Sequence, residues 1–311
     1  MPSGILLLDK PLGLSSNAVL QRVRALLLRQ KAGHVGSLDP LATGMLPICL
    51  GEATKIAGQI LAGRKRYRFT VALGSGTTTG DVEGAITSTA AVPTLERAGL
   101  EAVLARFRGP QTQTPPMYSA LKRAGQPLYK LARAGVTVAR AARDIELFEL
   151  ALLALGPASL ELEALCSKGT YIRVLAEDLA AALGTCGHVT ALRRLYVEPF
   201  DNEPMQTLES LAETRARGDW PRLLPADWPL GHLTAVRLPR AEAQRLLSGQ
   251  SVMAEVAGAP VAVRLYDEAG TFLGLGDADG RGAVRPRRLL NAASEPQCPC
   301  TVSEGSSNRS A

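Results

Sequence analysis

A single carboxylate stands in a glycine-rich stretch of the amino-terminal part of this 311-residue sequence. Asp39 is the only acidic residue between Asp9 and Glu52. Pro40 biases the residue before it away from helical backbone, so we expect an extended segment to present the carboxylate. A lone carboxylate in apolar, tightly turned surroundings can serve as a nucleophile or as a general base. A turn aspartate that bonds its own backbone is the alternative, and these features alone leave both open.

A second candidate site lies where a predicted strand gives way to a predicted helix. Residues 160–166 alternate in polarity as a strand does, and Ile172 opens a run of apolar residues at helical spacing. Arg173 in the first turn and the N-terminus of that helix would together favour a carboxylate or a phosphate. Tyr171 stands immediately before the helix. A surface arginine beside a packed tyrosine is the alternative for this pair.

Two other side chains carry polar groups in apolar surroundings. Tyr67 belongs to an alternating segment that puts it on the same strand face as Phe69 and Val71. A tyrosine on such a face needs a partner for its hydroxyl, and a pocket that faces a substrate would provide one. His34 lies in the same loop as Asp39, but no second His or Cys stands at ligand spacing, so we predict no metal site. A half-buried histidine that satisfies one hydrogen bond is the alternative for His34.

These residues depend on a small set of predicted elements. Ser15 and Ser16 are placed to cap a helix over residues 17–29, and glycine and proline punctuate residues 33–51, which predicts a loop. The other elements predicted before residue 232 are a strand at 67–73, a turn at 74–80, a strand at 160–166, a helix at 172–183, and a helix with a linker across 201–231. After it, short strands at 234–238, 261–266, 271–276 and 283–290 accompany one helix at 240–248. This change from mixed helices and strands to mainly short strands predicts an α+β body followed by a small β domain.

Composition restricts the class of protein. Apolar residues make up 46% and charged residues 21% of the chain, which is typical of a globular protein with a sizeable core. No apolar run approaches the ~18 residues of a membrane span, and the N-terminus lacks the features of a secretory signal peptide. The five cysteines are scattered, so we expect no disulfide framework. We therefore expect a cytoplasmic protein with no membrane segment.

The positive charge is concentrated in three segments of a chain whose formal net charge is +6. Residues 1–75 hold ten Lys and Arg against three Asp and Glu, residues 119–143 hold six basic residues and no acid, and residues 281–290 hold four arginines. Separate basic segments on an otherwise balanced chain are typical of a protein that binds a polyanion such as a nucleic acid. Ordinary solvated faces are the alternative, and charge alone does not decide between them.

These motifs together resemble the TruB family of tRNA pseudouridine-55 synthases, in its bacterial stand-alone form. The resemblance extends over nearly the whole chain up to about residue 290, and the ordered run at 36–54 is its most specific part. The other matching segments are 6–11, 65–68, 116–122, 166–173, 192–195 and 285–289.

The resemblance implies an α+β fold in which a mixed, largely antiparallel sheet forms a pseudouridine synthase catalytic domain. It places that domain at 1–231 and a small C-terminal PUA-like, RNA-binding β domain at 232–290. Residues 291–311 are polar and are predicted to be a disordered tail. The implied activity is isomerisation of one uridine in the T-loop of tRNA, at position 55, to pseudouridine by base flipping, with no cofactor, metal or guide RNA.

The same resemblance assigns roles to the candidate residues. Asp39 corresponds to the catalytic aspartate, and the substrate-binding residues are His34, Tyr67, Tyr171, Arg173 and Leu192. Arg173 would pair with Asp39 and keep it ionised, because a neighbouring positive charge lowers the pKa of a carboxylate. Tyr67 would contact the flipped base and is the family's candidate for removing the C5 proton.

The implied partner is tRNA, with its T-arm on the catalytic domain and its acceptor end on the C-terminal domain of a monomer. A non-catalytic tRNA-binding or tRNA-folding protein is the main alternative, although phosphate binding by itself needs neither Asp39 nor Tyr67. A guide-RNA-dependent synthase is a second alternative, and the short N-terminus, without an obvious docking extension, favours the stand-alone enzyme. A ribosomal-RNA synthase is a third, but its usual Arg-Leu-Asp signature is Ser37-Leu38-Asp39 here.

Overall fold

The computed structural model describes residues 2–123 and 125–291, which form two main sheets, two short hairpins and seven α-helices. The strands in chain order are β1 (Gly4–Lys10), β2 (Ala32–His34), β3 (Ala42–Leu50), β4 (Lys65–Leu73), β5 (Ser75–Thr77), β6 (Ile86–Thr89), β7 (Gly109–Gln113), β8 (Lys122–Arg123), β9 (Gln126–Pro127), β10 (Arg143–Gly156), β11 (Ser159–Cys166), β12 (Gly187–Val197), β13 (Thr234–Arg237), β14 (Val252–Ala257), β15 (Val261–Tyr266), β16 (Phe272–Ala278) and β17 (Arg281–Leu289). The helices are α1 (Ser16–Leu26), α2 (Ala57–Ala62), α3 (Arg97–Ala105), α4 (Leu128–Arg133), α5 (Ile172–Ala182), α6 (Leu208–Ala216) and α7 (Arg240–Leu247), with 3-10 helices at Gly51–Ile56 and Trp228–Leu230.

The larger sheet has eight strands in the order β1-β3-β12-β4-β11-β10-β7, with β2 added to β3. Its neighbouring strands pair antiparallel except β12 and β3, which run parallel. This confirms the mixed, largely antiparallel sheet. Gly44 has positive φ at the parallel contact, and a Cβ there would collide with the carbonyl oxygen of Arg194. Glycine is therefore required at this position for β3 and β12 to approach.

One face of the larger sheet carries the core beside the candidate site. Phe69 of β4 and Leu192 of β12 pack there with Leu175 of α5. Tyr67 points to the same face and Arg68 to the opposite one, because side chains two residues apart share a face of a strand. Burial of each large apolar side chain stabilises the fold by about 1.5–3 kcal/mol.

The smaller sheet forms the C-terminal β domain that the sequence pattern predicted. Its strand order is β13-β15-β16-β17-β14, and α7 contributes Leu246 to its core. The domain also contributes Phe272 and Leu275 to a second core cluster, which contains Ile5 and Ile56 of the preceding domain. A shared apolar core therefore sets the position of one domain against the other.

The predicted loop over 33–51 is wrong for most of its length. Residues 32–34 form β2 and residues 42–50 form β3, which leaves 35–41 as the loop. Glycine and proline favour turns locally, but Pro47 pairs with Leu7 of β1, and its carbonyl accepts from the N–H of Val35. Pairing with distant strands thus overrides the local turn preference.

Other differences concern the ends of elements and the elements that the patterns did not predict. Helix α1 ends at Leu26 rather than at residue 29, and Leu28 and Arg29 both adopt positive φ. Strands β1, β5 to β10, β12 and β14 and helices α2, α3 and α4 were not predicted. The predicted disordered tail lies outside the described residues from 292 onward. No helix in the described part of the chain is long and apolar enough to cross a membrane.

Candidate active site

Backbone contacts on both sides of Asp39 hold the loop at 35–41. On one side the Ser16 hydroxyl accepts from the N–H of Leu38 at 2.7 Å and donates to the carbonyl of the same residue at 3.0 Å. On the other side the Lys10 ammonium donates to the carbonyl of Pro40 at 3.3 Å. The backbone that carries the carboxylate is therefore anchored to α1 and to β1.

Lys10 is fully buried, which is rare for a lysine. Its ammonium also donates to the carbonyls of Pro11 and Leu14, so three carbonyls match its three donors. Burial lowers the pKa of Lys10 to about 8, although the nearby Asp39 carboxylate opposes this shift. The side chain is therefore still protonated at neutral pH and places a positive charge behind the Asp39 loop.

Arg173 is the direct partner of Asp39. Its Nε lies 3.0 Å from Asp39 Oδ2 and 3.7 Å from Asp81 Oδ2. Its two Nη atoms donate to the carbonyls of Thr79 and Tyr118, each at 2.6 Å. The Arg173 side chain is 5% exposed and the Asp39 side chain is 42% exposed. The pair therefore fixes the guanidinium in the protein and leaves the carboxylate open to a ligand.

The pKa of Asp39 is set by opposing contributions from burial and from neighbouring charges. Burial raises the pKa of Asp39 above its ordinary value of 3.8, and the Asp81 carboxylate adds to the rise. Arg173 and Lys10 lower the pKa but do not overcome the effect of burial. The expected lowering by Arg173 is therefore present as one contribution, but the net pKa rises because desolvation disfavours the charged form more than the ion pair favours it. That Arg173 keeps Asp39 ionised at neutral pH stays a prediction.

A cavity of about 70 Å³ opens in front of the ion pair. Five of the six predicted site residues line it, namely Asp39, Tyr67, Tyr171, Arg173 and Leu192. They come from one loop, two strands and the start of α5. A concave site in which charged, hydroxyl and apolar side chains converge is typical of ligand binding.

Tyr67 forms a wall of this cavity and is almost completely buried. Burial raises the pKa of Tyr67, while the Arg194 guanidinium, which hydrogen-bonds its hydroxyl, acts in the opposite direction. The phenol is therefore neutral at physiological pH, and it would have to lose its own proton before it could accept one from C5. Its role as the proton acceptor stays a prediction, and burial makes that role costly.

Arg194 contacts the loop that carries Asp39, a role that the sequence motif at 192–195 did not specify. The side chain is fully buried, and it donates to the carbonyls of Met45 at 2.7 Å and Gly36 at 2.8 Å. It thus connects β12 to β3 and to Gly36 in the loop that carries Asp39.

His34 is not among the residues that line the cavity. It ends β2, where it pairs with Ile48, and its Nδ1 is buried with no hydrogen-bond partner among the described residues. Burial, and to a lesser extent Arg194, lowers the pKa of His34, so the ring is neutral at physiological pH. Its contact with an extruded nucleotide stays a prediction. In the described ranges no group of three or more His, Cys, Asp and Glu side chains is arranged to hold a metal ion.

Asp81 is a site residue that the sequence reasoning missed. It is buried beside Arg173, and its Oδ1 accepts from the Thr79 hydroxyl at 2.5 Å and from the N–H of Glu83 at 3.1 Å. A signal was present, because Asp81 is the first acid after Glu52 and follows directly on the predicted Gly/Thr turn.

Comparison with known sequences covers the same regions. Residues 24–172 match the TruB family pseudouridylate synthase (N terminal domain). Residues 173–227 match the tRNA pseudouridylate synthase B C-terminal domain, and residues 234–290 match the C-terminal domain of pseudouridine synthase II TruB. The matches together include both domains of the fold and every residue that lines the cavity.

Individual relatives are similar over almost their full length. The tRNA pseudouridine synthase B of Chromohalobacter salexigens is 50% identical over 293 residues, which cover 94% of this chain and 95% of that protein. The protein of the same name from Aromatoleum aromaticum is 48% identical over 294 residues, 94% of each chain. A chain in the solved structure of an H/ACA RNP bound to a substrate RNA containing 2'-deoxyuridine has a TM-score of 0.69 at 20% identity, over 93% of this chain and 85% of that one, and shares the fold. With matches of this length and identity, the chain belongs to the TruB family of pseudouridylate synthases.

Proposed function

We propose that this chain isomerises a uridine in the T-loop of tRNA, at position 55, to pseudouridine without a guide RNA. The observation that carries the proposal is the Asp39–Arg173 pair, 3.0 Å apart, in a cavity walled by Tyr67, Tyr171 and Leu192. The relatives named tRNA pseudouridine synthase B match this chain over nearly its full length, which supports the same reaction here.

The reaction is an isomerisation, so its atoms balance within one nucleotide. The N1–C1′ bond breaks, a C5–C1′ bond forms, C5 loses a proton and N1 gains one. Asp39 has three chemical roles available: attack on C1′, attack on the base, or removal of the C2′ proton. Each role uses the ionised carboxylate. Arg173 is always charged and therefore supports that ionised form throughout the physiological pH range.

A base that remains stacked inside a folded T-loop cannot reach Asp39, so we infer that the uridine is flipped out. Flipping costs a few kcal/mol. Stacking on aromatic side chains returns roughly 1–3 kcal/mol per base. Tyr67 and Tyr171 in the cavity wall, with Leu192 beside them, supply apolar surface for this exchange.

Exposed basic residues on two segments support tRNA as the polyanion. Lys122, Arg123 and Lys130 are exposed on the segment between β7 and β10, and Arg285 and Arg288 are exposed on β17. Phosphate contacts dominate the affinity of proteins for nucleic acids. We assign the T-arm to the first segment, which lies beside the cavity through the Tyr118–Arg173 contact, and the acceptor end to β17.

The test is tritium release from C5 of tritiated uridine in an unmodified tRNA, with purified protein and no other RNA. We expect release by the wild type and none by Asp39→Asn, because the neutral amide is neither a nucleophile nor a base. The Kd of Asp39→Asn for tRNA should stay within about tenfold of the wild-type value, since phosphate contacts are unchanged. Asp144→Asn, on the exposed face of β10, is the matched control and should release tritium normally.

Each other outcome identifies an alternative. Release by Asp39→Asn at the wild-type rate would remove Asp39 from the chemistry. If neither protein releases tritium and both bind tRNA, the chain is a tRNA-binding or tRNA-folding protein. Mapping of the product nucleotide tests position 55, and release only after a guide RNA is added would contradict the stand-alone mechanism.

A further inference from the structure

A side chain outside the cavity holds the backbone of one of its walls. Gln113 is the last residue of β7 and is buried. Its Oε1 accepts from the N–H of Tyr171 at 2.7 Å, and its Nε2 donates to the carbonyl of Tyr171 at 3.1 Å. Both ends of the amide are thus directed at the backbone of a single residue.

This double contact lies where α5 begins. Tyr171 is extended, with φ of −103° and ψ of 110°, and no side chain of the capping residue caps the helix. Its carbonyl also accepts the first bond of the helix, from the N–H of Leu175. The N–H groups at the start of a helix have no partner within it. Gln113 satisfies the N–H of Tyr171 and so determines where the extended backbone turns into α5.

Two residues of the cavity depend on that starting point. Tyr171 lines the cavity itself, and Arg173 lies two residues further on, in the first turn of α5. A small shift in the start of the helix would move the Arg173 guanidinium away from Asp39, to which it is now 3.0 Å distant. Misplacement of catalytic groups by about 1 Å can cost about 100-fold in rate.

Gln113 also lies directly before residues 114–142, which connect β7 to β10 and contain most of the basic segment 119–143. The chain leaves the larger sheet after Gln113 and re-enters it at Arg143, its partner in the β7–β10 pair. Within the segment, the carbonyl of Tyr118 accepts from Arg173. The segment and the cavity therefore share one anchoring point in the sheet.

We propose that Gln113 is a positioning residue for the isomerisation. Its amide holds Tyr171 and Arg173 in position relative to Asp39. It therefore supports the chemical step rather than the binding of tRNA. The inference rests on the proposed function, because it concerns the same reaction at the same cavity.

The test compares Gln113→Leu with the wild type in tRNA binding and in single-turnover tritium release at saturating tRNA. Leucine has a similar size but no polar atom, so both backbone groups of Tyr171 lose their partner. We expect the rate to fall by about 10- to 100-fold. The Kd for tRNA should change by no more than about threefold, because no phosphate contact is removed.

Gln111→Leu is the matched control. It makes the same substitution two residues earlier, on the same face of β7, where the amide donates to the carbonyl of Phe107 instead of a cavity residue. Its rate and its Kd should both equal the wild-type values.

Gln113→Glu is a second variant, which keeps an acceptor for the N–H of Tyr171 and replaces the donor with an oxygen that faces the carbonyl. It should also lose rate without losing affinity.

A wild-type rate in folded Gln113→Leu would overturn the inference, and so would a loss of affinity as large as the loss of rate. Unfolding of both Gln113 variants, seen by circular dichroism while Gln111→Leu folds, would assign Gln113 a purely structural role and overturn it as well. A wild type that binds tRNA but releases no tritium would instead overturn the proposed function.

Discussion

Single side chains in this site combine a fixed cation with an accessible anion. Arg173 is held by two carbonyls and by Asp81 as well as by Asp39. An ion pair whose guanidinium is buried adds little net stability, because desolvation of the charge offsets the attraction. We therefore expect the arrangement to matter for the reaction, because it orients an accessible carboxylate beside the cavity.

The dependence of activity on pH follows from the pKa of Asp39. Burial raises this pKa above 3.8, so the carboxylate gains its proton at a higher pH than a free aspartate does. Activity should be complete above the raised pKa and fall as the pH decreases through it. Single-turnover rates measured across the acid range should show this fall, the acid limb of the pH profile, above pH 3.8.

Asp81→Asn tests the cause of that shift. The main charged groups that act on Asp39 are Arg173 from α5, Asp81 from the turn after β5 and Lys10 from β1, and the charge of Glu83 is also coupled to it. Removal of the Asp81 charge takes away one contribution that raises the pKa of Asp39, so the acid limb should move to lower pH, whatever the effect on the plateau rate. A limb that stays in place or moves to higher pH would show that Asp81 does not act on Asp39 through its charge.

At the scale of elements, regular structure holds the backbone on both sides of the cavity. Ser16 in α1 binds both backbone groups of Leu38, and Gln113 in β7 binds both backbone groups of Tyr171. Helix α1 is itself anchored by apolar residues that are buried in a core cluster. Reactive groups on loops thus take their position from rigid neighbours, which keeps their geometry within narrow limits.

Adjacent serines allow this positioning to be separated from helix capping. Ser16→Ala should lower the free energy of unfolding by about 1–3 kcal/mol, because a buried N–H and carbonyl lose their partner, and it should also slow tritium release. Ser15→Ala removes only the N-cap bond to the N–H of Ala18, so it should cost about 1 kcal/mol and leave the rate unchanged. Urea denaturation and single-turnover assays measure the two effects. Equal rates for the two variants would show that the loop does not rely on Ser16.

At the scale of the whole molecule, folding redistributes the positive charge counted along the sequence. Residues 1–75 are strongly basic, but Arg66 pairs with Glu149 and Glu163, Arg68 pairs with Glu161, and Lys65 is buried. The exposed basic residues of 119–143 and 281–290 remain at the surface. We therefore expect tRNA to contact these two segments more than the strands of the larger sheet.

The two domains are also joined by hydrogen bonds. Beyond the shared apolar core, the Lys55 ammonium donates to the carbonyl of Leu289 at 2.8 Å, and the N–H of Asn291 donates to Glu52 Oε2 at 2.7 Å. Deletion of the C-terminal domain would expose Ile5 and its neighbours in that core. Substitution of surface arginines therefore tests its contribution to tRNA binding more cleanly than truncation does.

The double variant Arg285→Gln/Arg288→Gln should weaken tRNA binding and leave the single-turnover rate at saturating tRNA unchanged. The slope of log Kd against log salt should decrease by about 1 for each arginine that contacts a phosphate. Arg66→Gln/Arg68→Gln removes the same number of charges from the sheet face opposite Tyr67, and it should leave the slope unchanged. Equal slopes for both double variants and the wild type would remove β17 from the tRNA surface.

Part of the fold could be predicted because its signals are local, whereas the site residues were assigned through the family motifs. Alternation in β4 correctly placed Tyr67 on the face of Phe69, and Ser15 correctly marked the start of α1. The helical spacing after Ile172 predicted α5 to within a residue. Each signal depends on neighbours a few residues apart, and the family motifs added the identity of Asp39.

The sequence by itself determined the small C-terminal β domain and elements such as β4, β11 and α5, since these follow from residue types and short-range periodicity. The type of chemistry was implied by the family motifs, because residue types alone left alternatives open. Only the tertiary structure decided that residues 42–50 form a strand paired with β1 and β12, that Asp81 and Gln113 contact residues of the cavity, and that the pKa of Asp39 is raised. Strand pairing, desolvation and hydrogen bonding to a distant backbone all depend on groups that are far apart in the chain. No local pattern encodes those contacts, and the fold alone brings them together.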